Sequence, residues 1–101
     1  NVAGKSEALG WIAGLKTQQG EVAQAIALYQ QSLELTDRIG DVQGKAMTLG
    51  MMGQLLADKQ GDIERGLRYL CECRDILERL KSPHAATARD IIARVQQMAD
   101  S

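Results

Sequence analysis

Apolar residues recur along this chain at intervals of three and four positions, and no segment alternates apolar and polar residues. Spacings of three and four place side chains on one face of a helix, whereas alternation is typical of a strand. The pattern therefore predicts an all-α protein. Its predicted helices are one from Val2 to Gln18, a second that Gly40 closes, a third that Asp41 caps, a fourth that begins after Gly61-Asp62, and a fifth that begins at Ser82-Pro83.

The segments between these helices carry strong turn signals. Glycine followed by an acidic residue separates the first helix from the second and the third from the fourth, at Gly20-Glu21 and Gly61-Asp62. An acidic side chain at a helix start can accept hydrogen bonds from free backbone N–H groups. Ser82 as N-cap and Pro83 at the first helical position favour a new helix there. Four helices should therefore form two antiparallel hairpins, with the fifth helix following them.

The two hairpins repeat one another. Residues 1–10 align with residues 41–50 at an offset of 40, and the offset becomes 41 where Gln19-Gly20-Glu21-Val22 aligns with Gln60-Gly61-Asp62-Ile63. A period in this range is typical of stacked helical repeats. We therefore expect one domain, divided into a first repeat over residues 1–40, a second over 41–81 and a C-terminal capping helix over 82–101. Ile91, Ile92 and Val95 would form the buried face of that cap.

The first predicted helix carries two neighbouring apolar stripes. The first stripe consists of Leu9, Ile12 and Ala13. The second stripe, with gaps of four, three and four residues, consists of Gly4, Ala8, Trp11 and Leu15. Two repeats are few for a stable stack, and without a preceding repeat the second stripe would be exposed. It is therefore a possible self-association face, in which Trp11 either packs on a neighbouring hairpin or acts as an interface hot spot.

Composition and charge narrow the range of partners that the chain is expected to bind. The chain has 101 residues, of which 45% are hydrophobic and 25% charged, which is typical of a soluble globular domain. The formal net charge is -1 and is shared evenly along the chain, which argues against nucleic-acid binding. No stretch approaches the roughly 20 apolar residues that a membrane span requires. We therefore expect neither nucleic acid nor membrane as a partner.

The cysteines and the first residue suggest the context of the chain. Cys71 and Cys73 lie two residues apart and point to different sides of a helix, so they cannot form a disulfide with each other. Free cysteines are typical of a reducing compartment, and we predict a cytoplasmic location. Because the chain begins with Asn rather than Met, we expect it to be part of a longer protein.

No group of reactive side chains predicts catalysis. Cys71 and Cys73 lack the spacing and the second ligand pair of a zinc site. His84 follows Pro83 in the first turn of the fifth helix and has no nearby Ser or Asp to complete a triad. The acidic residues at the turns are interpreted as helix caps. We therefore expect no enzyme activity, no metal and no cofactor.

The small residues and turns resemble those of the tetratricopeptide repeat family over roughly residues 2–80. The matching positions of the first repeat are Ile12-Ala13, Gly20-Glu21, Ala25, Tyr29 and Ser32, and those of the second are Met52-Gly53, Gly61-Asp62, Gly66, Leu70 and Cys73. The repeat exceeds the family's usual length of about 34 residues, and resembles the long variant of Leu-Gly-Asn repeat adaptors and kinesin light chains. HEAT and armadillo repeats share the longer period, but the paired turns favour the tetratricopeptide family. The resemblance implies a short right-handed superhelix.

The resemblance also implies a binding groove, because the first helix of each hairpin lines the concave, ligand-holding surface in this family. The residues on that face are Glu7, Gly10, Gly14 and Gln18 in the first repeat, and Met47, Gly50, Met51, Gln54 and Asp58 in the second. No Lys or Arg occupies these positions, so an apolar helix or extended segment, with or without basic residues, is the expected ligand. The alternative is a solvated face on a structural spacer.

These observations favour a protein–protein interaction module that binds another protein or peptide within a larger intracellular adaptor or regulatory protein. The alternative is a mainly structural role as a self-association segment, in which the partner is a second copy in a homodimer. A repeat stack favours either role over catalysis, because it presents extended surfaces to partners.

Overall fold

The structure, a computed structural model, describes residues 2–100, with side chains from residue 4 onward. Within that range the chain forms five α-helices and no strand. They are α1 (Val2–Gln18), α2 (Val22–Ile39), α3 (Val42–Lys59), α4 (Ile63–Arg79) and α5 (His84–Asp100). The predicted all-α class is confirmed. None of these helices combines the length and the apolar character that crossing a membrane requires.

Gly40, Asp41 and Asp62 end or begin helices as predicted, whereas the side chain of Glu21 accepts no capping hydrogen bond at the start of α2. Gly40 has a left-handed backbone, with φ 71°, and its N–H donates to carbonyls in the last turn of α2. The Asp41 carboxylate accepts a hydrogen bond from the Gly44 N–H at 2.9 Å. The Asp62 carboxylate accepts one from Arg65 N–H at 3.2 Å. Local hydrogen bonding therefore explains where α3 and α4 begin.

The start of α5 differs from its prediction by one residue. Ser82 Oγ accepts a hydrogen bond from the His84 N–H at 3.1 Å, which is the predicted capping bond. The helix itself begins at His84, so Pro83 precedes the first helical position instead of occupying it. The bond from the Ala85 N–H to the Ser82 carbonyl shows that this entry is a tight turn. The exposed His84 is part of that turn.

Small residues lie where the helices of each hairpin cross. In the second hairpin, a Cβ added to Gly53 would lie 2.9 Å from the Gly66 carbonyl oxygen and 2.8 Å from Leu70 Cγ. Real Cβ atoms do not approach other atoms so closely, so α3 and α4 pack at this distance only because both crossing residues are glycine. In the first hairpin, the fully buried Ala13 and Ala25 occupy the matching positions. The expected crossings are therefore present in both repeats.

Successive helices pack on one another in chain order, from α1 to α5. The principal extents of 44 × 34 × 17 Å describe a slab about two helices thick, since one helix with its side chains is about 10 Å across. One buried cluster joins the two hairpins and consists of Ala13, Ala25, Tyr29, Met52, Leu55 and Leu56. A second cluster consists of Ala57, Leu70, Ile92 and Val95, so α5 covers α4 as the predicted cap would.

Candidate protein-binding surface

The first helices of the two hairpins, α1 and α3, together line a groove. Its larger depression has a volume of about 730 Å³. The described residues that line this depression are Ser6, Glu7, Gly10, Trp11, Gly14, Leu15, Gln18, Ser32, Asp41, Gln43, Gly44, Met47, Thr48 and Met51. A smaller depression of about 340 Å³ adjoins it at Gly14, Gln18 and Met51, toward the C-terminal ends of the same helices. Both are open to solvent.

Buried hydroxyl groups form part of the larger depression. Ser6 Oγ of α1 lies 3.1 Å from Ser32 Oγ of α2, which lies 3.4 Å from Thr48 Oγ1 of α3. Thr48 donates to the Gly44 carbonyl at 3.0 Å, so the chain of hydroxyls ends on a backbone acceptor. This triad links three helices through polar bonds. Sequence reasoning overlooked Ser6 and Thr48, although serine or threonine on an inward helix face was an available signal.

Gly10 and Gly14 leave the α1 side of the groove without side chains. A Cβ added to either residue would have no atom within 4 Å. Each glycine costs about 1 kcal/mol relative to alanine in the middle of a helix. Since no helix of residues 2–100 crosses α1 at these two positions, internal packing does not explain them. Both glycines line the larger depression.

Gly50 was predicted to lie in the groove, but the structure places it elsewhere. It lines neither depression, and a Cβ added to it would lie 3.2 Å from Cys73 Sγ on α4. The repeat relates Gly50 to Gly10, but α4 packs where Gly10 has open space. Burial raises the pKa of the Cys73 thiol, and a backbone hydrogen bond from Gly50 partly offsets that effect. Gly50 therefore serves the packing of its own hairpin.

Exposed apolar side chains border the larger depression. Met47 and Met51 of α3 are each nearly half exposed. Trp11, 77% exposed, and Leu15, 54% exposed, line the same depression from α1. The groove and the Trp11 stripe were predicted to be separate surfaces. In the structure they meet along α1 and share two residues.

Charged groups differ between the two depressions. The larger depression is lined by the carboxylates of Glu7 and Asp41 and by no cation among its described residues. The smaller one is lined by Lys59 and Asp58. Asp58 accepts hydrogen bonds from both terminal nitrogens of Arg94 on α5, at 2.9 and 3.2 Å, and this raises the Arg94 pKa. Asp58 is thus already paired, and Lys59 adds a groove cation that sequence reasoning overlooked.

The second stripe of α1 is exposed along its described length. Gly4, Ala8, Trp11 and Leu15 all face solvent. Ile12 of the first stripe is also 43% exposed, because no described element packs over its side of α1. The apolar part of α1 that faces outward therefore includes Ile12 as well as the second stripe.

The remaining reactive residues lie apart from the groove. Cys73 is buried and Cys71 is partly buried, both as free thiols. Among residues 2–100 no three His, Cys, Asp or Glu side chains are grouped in a way that could hold a metal ion. Every buried side-chain nitrogen or oxygen in the described chain has a hydrogen-bond partner. Glycine, methionine and hydroxyl groups line the walls of the groove.

Repeated hairpins with small crossing residues and a groove along their first helices define a helical-repeat scaffold. The family model for the tetratricopeptide repeat matches residues 5–79. This chain therefore belongs to the tetratricopeptide repeat family, as its sequence predicted. Domains of this family are generally non-catalytic protein–protein interaction modules that bind other proteins or peptides. Comparisons with curated proteins and with solved structures gave no significant match.

Proposed function

We propose that the chain binds a segment of another protein in the groove between α1 and α3, as the non-catalytic, peptide- or helix-binding module of a larger cytoplasmic adaptor or regulatory protein. In this proposal residues 1–40 and 41–81 supply one wall each, and residues 82–101 close the stack. Family membership supports the role of an interaction module, and the two-walled depression supports the location of its site.

The open space above Gly10 and Gly14 is the observation that carries the proposal. A glycine in mid-helix lowers helix stability, so its retention calls for a tertiary reason. Here an added Cβ would have no described atom within 4 Å, which supports an approaching ligand as that reason. Met47 and Met51 on the opposite wall have flexible thioether side chains that can adapt to an apolar ligand group.

The charges around the larger depression indicate the chemistry of the ligand. Glu7 is exposed and forms no ion pair within residues 4–100, and Asp41 lines the same depression. Carboxylates without a nearby cation attract a basic side chain. We therefore propose an apolar segment that carries Lys or Arg, with the basic residue placed beside Glu7.

Selection from a displayed random-peptide library tests this proposal. Peptides enriched on the chain should pair apolar residues with Lys or Arg, and should lose binding to a Gly14→Leu variant, whose new side chain fills the depression. The matched control is Ala27→Leu, on the exposed face of α2. Peptides that bind the Gly14→Leu variant as well as the parent chain would rule out this groove as the site.

Self-association through Gly4, Ala8, Trp11 and Leu15 is a second candidate function. The exposure of Trp11 favours it, because contiguous exposed apolar side chains mark interaction sites on soluble proteins. Light scattering over a range of protein concentrations tests this candidate. A mass that stays at 11.0 kDa throughout would eliminate it.

A further inference from the structure

The two depressions between α1 and α3 form one continuous groove, because Gly14, Gln18 and Met51 line both of them. Glu7 lines the larger depression near the start of α1. Lys59, the last residue of α3, lines the smaller depression at the other end. The groove therefore runs from a carboxylate at one end to an ammonium group at the other.

The other charged residues of the groove already have partners within the chain. The Asp41 carboxylate accepts the hydrogen bond that caps α3, and Asp58 is paired with Arg94. Glu7 and Lys59 are exposed, and neither forms an ion pair or a side-chain hydrogen bond among the described residues. Opposite charges across an interface fix the register of a bound partner. One carboxylate and one ammonium group thus remain to set the register of a ligand.

Glutamine amides line the groove between these two charges. Gln18 lines both depressions, and Gln54 lines the smaller one. Neither side-chain amide forms a hydrogen bond within the described chain. A primary amide both donates and accepts, which suits the N–H and C=O groups that an extended backbone leaves unpaired. A helical ligand pairs these groups internally, so the two amides favour an extended segment.

The distance between the two charges sets the length of that segment. The repeat offset of 40 places Glu7 level with Met47, and both line the larger depression. From Met47 to Lys59 the helix advances about 18 Å, at about 1.5 Å per residue. An extended chain advances about 3.3 Å per residue and covers this distance in about five residues, whereas a helix needs about twelve.

We propose that the groove binds an extended segment in which a basic and an acidic residue lie about five positions apart, an inference that rests on the proposed function. The Lys or Arg of the ligand pairs with Glu7, and its Asp or Glu pairs with Lys59. Apolar residues between them contact Met47 and Met51, which are each nearly half exposed. The acidic residue and the spacing are what this inference adds to the ligand.

Peptide selection on three chains tests the charge pair: the parent, Lys59→Glu and the control Arg38→Glu. Arg38 is exposed on α2, lines neither depression and forms no ion pair among the described residues, so its reversal changes the net charge equally. The displayed peptides are long enough to hold either spacing. On the parent and the control, enriched peptides should carry opposite charges about five residues apart. On Lys59→Glu, the acidic residue should disappear from them while the basic residue is retained.

The affinity of one enriched peptide, measured by fluorescence anisotropy, makes the test quantitative. Lys59→Glu should weaken its binding by about tenfold, because an attraction becomes a repulsion. Replacing the acidic residue of the peptide by lysine should restore binding to Lys59→Glu and weaken binding to the parent and to Arg38→Glu. Both variants should keep the helical circular dichroism of the parent, since both side chains are exposed.

The outcomes separate this inference from the proposed function. Peptides enriched for a basic residue alone, and bound equally by Lys59→Glu and Arg38→Glu, would overturn the charge pair but leave the groove as the binding site. Opposite charges about twelve residues apart would overturn the extended form. Binding that Gly14→Leu leaves unchanged, or a library that yields no binder, would overturn the proposed function and this inference together.

Discussion

The two hairpins share their turns and crossings but differ in how much of the first helix they bury. α3 buries eight residues, from Ala46 to Ala57. Among the described side chains of α1 only Ser6 and Ala13 are buried. The contrast is sharpest between equivalent residues, because Met52 is 0% and Leu55 5% exposed whereas Ile12 and Leu15 face solvent. Similar apolar residues at the same repeat position therefore have opposite environments.

Position in the stack explains the difference. α3 lies between α2 and α4 and packs on both, while α1 has α2 as its main neighbour. The repeat even anticipates this difference at one position, since the fully buried Leu56 corresponds to Lys16, which forms an ion pair with Glu21 at 3.1 Å. A repeat unit thus stabilises the stack only as far as its neighbours cover it. The following variants test that conclusion.

Removal of α5 should have the largest effect. Deleting the chain from Ser82 onward would expose Leu70 on α4 and remove Ile92 and Val95 from the core. Burial of one such side chain contributes about 1.5–3 kcal/mol, so the loss approaches the whole stability of a small domain. We expect the shortened chain to be largely unfolded in thermal circular dichroism, whereas Thr87→Ala on the exposed face of α5 should melt like the parent. An unchanged melting temperature after the deletion would refute the capping role.

Truncation of equivalent leucines should have the second-largest effect on stability, and this effect should differ between the two hairpins. Leu55→Ala should lower the free energy of unfolding by about 2–5 kcal/mol, because the surrounding helices cannot fill the space. Leu15→Ala removes an exposed side chain from the matching position and should change it by no more than about 0.5 kcal/mol in the monomer. Urea denaturation at low protein concentration measures both. An equal loss of unfolding free energy in the two variants would show that α1 is covered as fully as α3.

Alanine substitutions at two glycines should change the free energy of unfolding in opposite directions. Gly53→Ala places a Cβ against the Gly66 carbonyl oxygen and should destabilise the chain by about 1–3 kcal/mol. Gly14→Ala meets no atom within 4 Å and should stabilise it by up to about 1 kcal/mol through helix propensity. Thermal denaturation of the two variants side by side makes the comparison. Loss of stability in Gly14→Ala would mean that this glycine has a structural role in the chain.

The smallest expected effect concerns the hydroxyl triad that joins the hairpins. Ser32→Ala removes the central hydroxyl between Ser6 and Thr48. Thr48 keeps its bond to the Gly44 carbonyl, so the cost should be about 1 kcal/mol. Urea denaturation should show this loss for Ser32→Ala and almost none for the control Thr87→Ala, on the exposed face of α5. A neutral Ser32→Ala variant would show that apolar contacts alone set the fit between the hairpins.

Local features of the sequence predicted most of the fold. The three- and four-residue spacing, the caps at Asp41 and Asp62 and the left-handed Gly40 determine helix ends through bonds between near neighbours in the chain. The internal repeat located the crossings, because Gly53 and Ala13 must occupy equivalent positions. These signals act over a few residues or over one repeat length. They are therefore readable without knowledge of the other helices.

The tertiary structure determines which equivalent residues of the two repeats have the same surroundings. The repeat relates Gly50 to Gly10 and Met52 to Ile12, yet α4 and α2 cover only the members of each pair that lie on α3. The Ser6–Ser32–Thr48 bonds and the pairing of Asp58 with Arg94 likewise join residues far apart in the chain. Sequence alone determined the repeated helices and their caps, because these depend on local hydrogen bonds and periodicity. The composition of the groove and the exposure of Trp11 depend on which neighbours each helix has, and only the packed structure specifies them.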